Sequence, residues 1–226
     1  MRFEKGIIVA LDSWRVEIVE ELTGKIDALK VGYPLILPEG LGIVSELSEK
    51  IPVIVDIKIA DVPHVNSMIS EMIFESGASA IISHGFTGRD SIRACVEKAS
   101  EFNASVFVVA EMSHPGSLEF LSQHSVEIAR TAKLCGADGI VAPATRPESI
   151  RKFRNIFPEM KIISPGVGAQ GGSAYETVLS GADAVIIGRS IYESEDIERT
   201  ISSINEEIQR AREERRKLRS EEPYEF

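Results

Sequence analysis

Short apolar runs rich in valine and isoleucine alternate along the chain with longer stretches whose apolar residues return every three or four positions. The first pattern is that of a strand covered on both faces, the second that of an amphipathic helix. Strands are expected at Gly6–Leu11, Ala28–Gly32, from Val53 onward, and at Ala78–Ser83, Val106–Ala110, Asp138–Ala142, Lys161–Ser164 and Ala184–Ile187. After the first strand, Ser13 is a good cap for a helix whose Trp14, Ile18, Val19 and Leu22 share a face, and Gly24 stops it. Further helices are expected at Glu39–Lys50, from about Val62 with Val65, Ile69, Met72 and Ile73 on one face, and at Asp90–Phe102, Glu119–Leu134, Arg146–Phe157 and Ala174–Leu179. A last one begins near Ile197; its Ile197, Ile201, Ile204 and Ile208 keep helical spacing before Arg-Glu-Glu-Arg-Arg-Lys (212–217) carries it out of the core into solvent.

About eight strand–helix units in alternation, with no hairpin signal, require parallel strands joined by right-handed crossovers. Such a set closes into a (β/α)8 TIM barrel, a single domain over residues 1–219. Residues 220–226 form a tail that is either disordered or docks Tyr224 and Phe226 on a neighbour. Ser76-Gly-Ala-Ser79, Cys135-Gly-Ala-Asp138 and Ser180-Gly-Ala-Asp183 repeat one motif in which a helix-ending glycine precedes a new strand. Their spacing is uneven, so they are recurring loop chemistry and not a solenoid repeat.

The chain has 226 residues and a formal net charge of −10, which argues against a nucleic-acid surface but not against one small phosphorylated ligand. Apolar runs are too short to span a membrane, and no apolar signal region precedes the first strand. Cys95 and Cys135 make no metal-ligand spacing and read as free thiols in a reducing cytoplasm. The four histidines, His64, His84, His114 and His124, form no zinc set.

The third strand carries the unusual chemistry. In Pro52-Val-Ile-Val-Asp-Ile-Lys-Ile-Ala-Asp-Val-Pro63, Asp56 and Lys58 are two residues apart and share a side while the chain stays extended, and Asp61 follows in the loop before the next helix. An edge-strand ion pair plus a helix cap is the plainer reading of these three. Lys30 would lie on the adjacent strand, which gives an alternating row Lys30, Asp56, Lys58, Asp61. Each neighbouring pair attracts by about 4 kcal/mol before desolvation at an effective dielectric near 20, so the row favours ionised carboxylates and protonated lysines. Lys58 is then a proton donor and not a base.

In a barrel the active site lies at the C-terminal ends of the strands. Asp12, Lys30, Asp56 with Lys58, His84, Glu111 with Ser113, Thr145, Pro165 to Gly172 and Gly188 with Arg189 all fall there. Ser164-Pro-Gly-Val-Gly-Ala-Gln-Gly-Gly172 offers backbone N–H groups to an anion, and Gly188-Arg-Ser190 follows strand eight. Either loop alone is ordinary turn chemistry; adjacent, they suit a phosphate. Ser113 is either a contact for a polar heterocycle or a loop cap.

With Asp56-x-Lys58-x-x-Asp61, Met112-Ser-His-Pro-Gly116, Ser164 to Gln170 and Gly188-Arg-Ser190 in this order, the chain from about residue 6 to 210 resembles the compact archaeal orotidine 5′-monophosphate decarboxylases. The resemblance implies cofactor-independent conversion of orotidine 5′-monophosphate to UMP in a cytoplasmic homodimer. It implies that Lys58 protonates C6, that Asp56 lies against the substrate carboxylate, that Lys30 and Asp12 bind the ribose, and that Asp61 reaches the neighbouring subunit's site. Ser113 would contact the pyrimidine, Gln170 would bridge base and phosphate, and Arg189 with Gly188 and Gly168 would hold the phosphate. Val62, Val65, Pro165, Val167 and Gly171 complete the implied substrate contacts. One position departs from the pattern: Val65 stands where such enzymes often carry a threonine that touches the ribose. Two rivals share some of these features: a magnesium-dependent decarboxylase or aldolase acting on a phosphorylated keto sugar, and a nucleotide-binding barrel without catalysis.

Overall fold

Eight parallel strands pair in sequence order and close on themselves, with β1 (Ile7–Leu11) bonded to both β2 (Ala28–Gly32) and β8 (Ala184–Ile187). Between lie β3 (Val53–Ile59), β4 (Ala80–His84), β5 (Ser105–Val109), β6 (Gly139–Val141) and β7 (Lys161–Pro165). The structure, a computed structural model, describes residues 1–13 and 16–221. The (β/α)8 barrel expected from the alternation is the fold observed. Every strand is nearly apolar throughout because its inward side chains fill the barrel while its outward ones meet the helices.

The helices are α1 (Val16–Leu22), α2 (Tyr33–Glu39), α3 (Gly42–Ser48), α4 (Pro63–Glu75), α5 (Arg89–Glu101), α6 (Ser125–Leu134), α7 (Pro147–Ile156), α8 (Ala174–Leu179), α9 (Arg189–Tyr192) and α10 (Ile197–Glu221). The Ser13 cap and the Trp14 packing position abut residues 14–15, and Trp14 lies outside the described residues, as do Tyr224 and Phe226. Four expectations need correction. Glu39–Lys50 is not one helix: Pro34 opens α2 in the first turn, where a missing N–H is harmless, and Gly40 at φ 72° ends it before α3 begins. Glu119–Leu134 shortens to α6, because Ser117 and Ser122 bond to each other and Ser122 donates to buried Glu111, which winds residues 115–124 into short turns. On α4 the buried positions are Asn66, Ser70, Ile73 and Phe74, while Met72 faces outward. The basic end of α10 leaves the core only in part: Glu213, Glu214, Arg216 and Lys217 are exposed as expected, but Arg212 and Arg215 are half-buried, and the helix continues through Ser220 and Glu221.

That last correction has a clear cause. Arg212 donates to the carbonyls of Glu4, Phe3 and Asp183, and Arg215 to those of Val178 and Ala182, so both close the N-terminal end of the barrel. The Gly-Ala-Asp motif works at the same end. Asp138 accepts from the Val106 amide and Asp183 from the Ile162 amide, each carboxylate pinning the start of the preceding strand. Asp27 does the same for β1, accepting from the amides of Glu4, Lys5, Gly6 and Ile7. Buried Arg154 completes the set, with contacts to Gly181, Pro158 and Met160 carbonyls and a 2.6 Å ion pair to Asp183.

Candidate active site

Lys30, Asp56 and Lys58 converge at the opposite, C-terminal end. Lys30 Nζ lies 3.2 Å from Asp56 Oδ2, and Lys58 Nζ lies 3.0 Å from Asp56 Oδ1. The β2–β3 register sets Gly32 beside Asp56. A Cβ on Gly32 would sit 3.0 Å from the Asp56 carbonyl oxygen and 3.8 Å from Lys30 Nζ, so the missing side chain leaves the lysine room to reach up the barrel. Asp56 and Lys58 meet as expected, but not along an extended strand. The β3–β4 register shifts between Val55 and Ile59, and Lys58 adopts φ 47°, a conformation rarely taken by a side-chain-bearing residue. Such strain costs about 1–3 kcal/mol and is found where a side chain has to be aimed.

The row holds two ammonium groups against one carboxylate, with Lys30 and Asp56 only 12% and 10% exposed and Lys58 36%. The attraction within each pair is offset by several kcal/mol of desolvation per ion, so the arrangement is a poor stabiliser of the fold and a good source of fixed charge. Asp61, expected as the fourth member, is elsewhere. It is exposed on the loop into α4, its Oδ1 accepts from the Val62 amide, and it makes no ion pair with Lys58 among the described residues.

A cavity of about 300 Å³ opens over this row. Of the residues singled out from the sequence, Asp12, Lys30, Asp56, Lys58, Ser113, Pro165, Val167, Gln170, Gly188 and Arg189 line it. Asp61, Val62 and Val65 lie outside, at the head of α4; Gly168 and Gly171 belong to the Gln170 loop but do not face the cavity. Missed in the sequence were Ala10, Ile82, Val109, Val141 and Ile186, an apolar wall around the charges. The signal was available: each sits on a strand near its C-terminal end, on the side set by strand alternation.

The phosphate-type loop is closed on itself. Gly168 N bonds to Gly172 O, Gly172 N to Gly166 O, and Val167 bridges Gly172. Gly168, at φ 76°, leaves no space for a Cβ, which would lie 2.3 Å from Ser190 Oγ; the Ala169 amide donates to that hydroxyl at 3.1 Å. The loop after β7 is thereby tied to α9, whose first residue, Arg189, is exposed and makes no ion pair among the described residues. An unpaired guanidinium beside glycine amides is suited to a dianion.

Ser113 is held indirectly. Arg146 Nη2 donates to the Met112 carbonyl, the Met112 amide donates to Ser117 Oγ at 3.4 Å, and Arg146 Nε lies 3.0 Å from buried Glu111. Neither Arg146 nor this pairing was read from the sequence, since the partners are 35 positions apart in numbering and meet only through barrel closure. On the other wall, the Tyr192 hydroxyl donates to Asp12 Oδ2 at 3.4 Å; burial and the Asp12 charge push the phenol's pKa up and keep its proton on. Beside Lys58, burial and then the lysine charge hold the His84 imidazole below the usual histidine value. Its Nδ1 accepts from the Phe86 amide at 3.2 Å, which puts the proton of the neutral ring on Nε2. Among the described residues no group of three or more His, Cys, Asp or Glu side chains is placed to hold a metal ion.

Known proteins carry the same architecture. The orotidine 5′-phosphate decarboxylase of Methanosarcina acetivorans is 51% identical over 208 residues, covering 90% of this chain and 94% of the relative. That of Pyrococcus furiosus is 40% identical over 209 residues, covering 89% and 97%. Among solved structures, orotidine 5′-monophosphate decarboxylase from Methanocaldococcus jannaschii, complexed with the inhibitor BMP, superposes with a TM-score of 0.84 at 37% identity, covering 92% of this chain and 99% of that one. The family model of the orotidine 5′-phosphate decarboxylase / HUMPS family matches residues 5–204, and the chain belongs to that family.

Proposed function

We propose that this protein converts orotidine 5′-monophosphate to UMP and carbon dioxide in pyrimidine nucleotide synthesis, with Lys58 as the proton donor. The observation that carries the reading is the Lys30–Asp56–Lys58 row at the floor of a cavity whose far side holds Arg189 and the Gln170 loop. A phosphate held by Arg189 and the loop amides leaves the pyrimidine over the lysine, with Ser113 and Gln170 available to its polar edge.

Breaking the bond between C6 and the carboxylate leaves its electron pair on C6 and releases neutral carbon dioxide. That carbanion has no adjacent carbonyl to delocalise into, so the stabilisation has to come from positive charge already in position. The Lys58 ammonium, held by Asp56, supplies it without reorganisation and then transfers one proton to C6; the neutral amine is recharged from solvent. Ile82, Val109, Val141 and Ile186 exclude water from the side where carbon dioxide departs.

The active unit in this reading is a homodimer in which Asp61 serves the second copy's site. Val62, Met68 and Met72 are 59%, 50% and 49% exposed, and with half-buried Val65 they form an outward apolar stripe along α4. Asp61 stands at the head of that stripe, which supports its delivery across a two-fold contact through α4. Val65 brings no hydroxyl to this contact, so the polar groups exposed at the α4 head are Asp61 and His64.

The deciding experiment is a spectrophotometric assay with orotidine 5′-monophosphate in excess chelator. Sustained turnover is expected. Loss of turnover that magnesium restores would favour a metal-dependent phosphosugar enzyme, and UMP binding without turnover would favour a binding protein.

A further inference from the structure

The backbone of Asp61 is clamped on both sides of its Cα. Its amide donates to Asn66 Oδ1 at 2.9 Å, and its carbonyl accepts from Ser91 Oγ at 2.8 Å. The two clamping residues are themselves joined, since Asn66 Nδ2 donates to the Ser91 carbonyl at 3.3 Å. A closed ring of three hydrogen bonds thus ties the loop after β3 to the first turn of α4 and the start of α5.

These are costly choices for a helix interface. Asn66 is 1% exposed and Ser91 3%, at positions where alanine or leucine would favour the helix and need no partner. Both ends of the Asn66 amide are used, the oxygen on the Asp61 loop and the nitrogen on the Ser91 carbonyl of α5. The loop gains a fixed backbone while the Asp61 carboxylate is left exposed, bonded among the described residues to the Val62 amide next to it. No residue of the Asn66–Ser91 pair lines the cavity of its own chain.

We infer that Asn66 and Ser91 are positioning residues that aim Asp61 at the Lys58 row of a second copy. The inference rests on the shared-site reading above. Its particular content is that the pair acts in trans: loss of the clamp in one chain damages the site of the other and leaves its own Lys58 site competent. A displacement of about 1 Å in a reacting geometry costs on the order of 10²-fold, so Asn66→Ala is expected to lower kcat by about 10- to 100-fold, with a smaller change in KM. A residue that merely stabilised its own subunit would not produce an effect that crosses the interface.

Hybrid dimers test this. When Asn66→Ala and Lys58→Ala chains are mixed in equal amounts and allowed to exchange, each heterodimer has one site with an intact Lys58 facing an Asp61 whose clamp is intact. Statistical exchange in a two-fold dimer then restores about a quarter of wild-type sites. Activity no greater than the average of the two parents overturns the inference if a parallel mixture of Asp61→Ala and Lys58→Ala does recover. If that control also fails with exchange verified by native mass spectrometry, the shared site itself is wrong and the inference falls with it. Should Asn66→Ala not fold, Ser91→Ala takes its place in the same mixture. Ser91→Thr, which keeps the hydroxyl, is expected to retain kcat where Ser91→Ala loses it; an equal loss in the two also overturns the clamp.

Discussion

The two ends of the barrel are both rich in charge, and they use it in opposite ways. At the N-terminal end Asp27 accepts from four backbone amides, Asp138 and Asp183 each accept from one backbone amide and from a side chain, and Arg154 and Arg212 donate to carbonyls, so each charge has several fixed partners. At the C-terminal end Asp56 is shared between two lysines, Arg189 has no carboxylate partner among the described residues, and Lys58 sits at φ 47°. Charges satisfied by the backbone hold strands in register; charges left facing a cavity are held in reserve for a ligand. The comparison separates structural from chemical residues without reference to residue type, since both ends use aspartate with lysine or arginine.

The contrast can be broken most severely at Lys58. Lys58→Ala is expected to lower kcat by about 10⁴-fold, combining loss of proton transfer with loss of fixed charge, while stability stays within about 1 kcal/mol because Asp56 keeps Lys30. Steady-state kinetics beside thermal melts would reveal it, and comparable turnover to wild type would remove the assigned donor. Next, Arg189→Ala should raise KM by about 10²-fold with little change in melting temperature, since the lost interaction is with the ligand and not with the protein.

At the other end the signs reverse. Arg154→Ala leaves Asp183 and three carbonyl groups short of a donor and is expected to cost about 3 kcal/mol, a drop of roughly 10 °C in melting temperature. Turnover per folded molecule should stay at the wild-type value; a parallel fall in kcat would mean that the two ends are coupled. The smallest effect concerns His84, whose lowered pKa means that the unfolded chain takes up its proton first as pH falls below 6.5. Its contribution to stability is therefore present above that value and lost as pH drops toward the folded pKa. His84→Asn should flatten this acid decline in melting temperature, and Lys58→Ala should flatten it less, since burial outweighs the lysine charge as its cause.

The barrel was legible because its evidence is local and repeated: every strand declares itself by an apolar run, and α8, β8 and the start of α10 fall where the pattern sets them. Helix boundaries failed where a tertiary contact overruled propensity. Ser117 and Ser122 coil around Glu111 instead of extending α6, and Met72 is outward because Asn66 and Ser70 take the inward face of α4. Ten of the residues expected to touch substrate line one cavity. The hydrophobic wall was open to reading through strand alternation, whereas the Arg146 support was illegible because Glu111 comes beside it only when the barrel closes.

The sequence by itself determined the alternation of strands and helices and the end of the barrel at which unusual polar residues gather, and it set Asp56 and Lys58 two residues apart; their contact also needed the register shift in β3 and the φ of 47° at Lys58. Only the tertiary structure decided that Asp61 stands apart from Lys58, that Arg212 and Arg215 close the barrel floor, and that Asn66 and Ser91 grip the Asp61 loop, which lies 30 residues from Ser91. The physical reason is that direction and partnership depend on closure. A strand's own period tells which side a residue takes, but what waits on that side is set by chain segments far away in sequence.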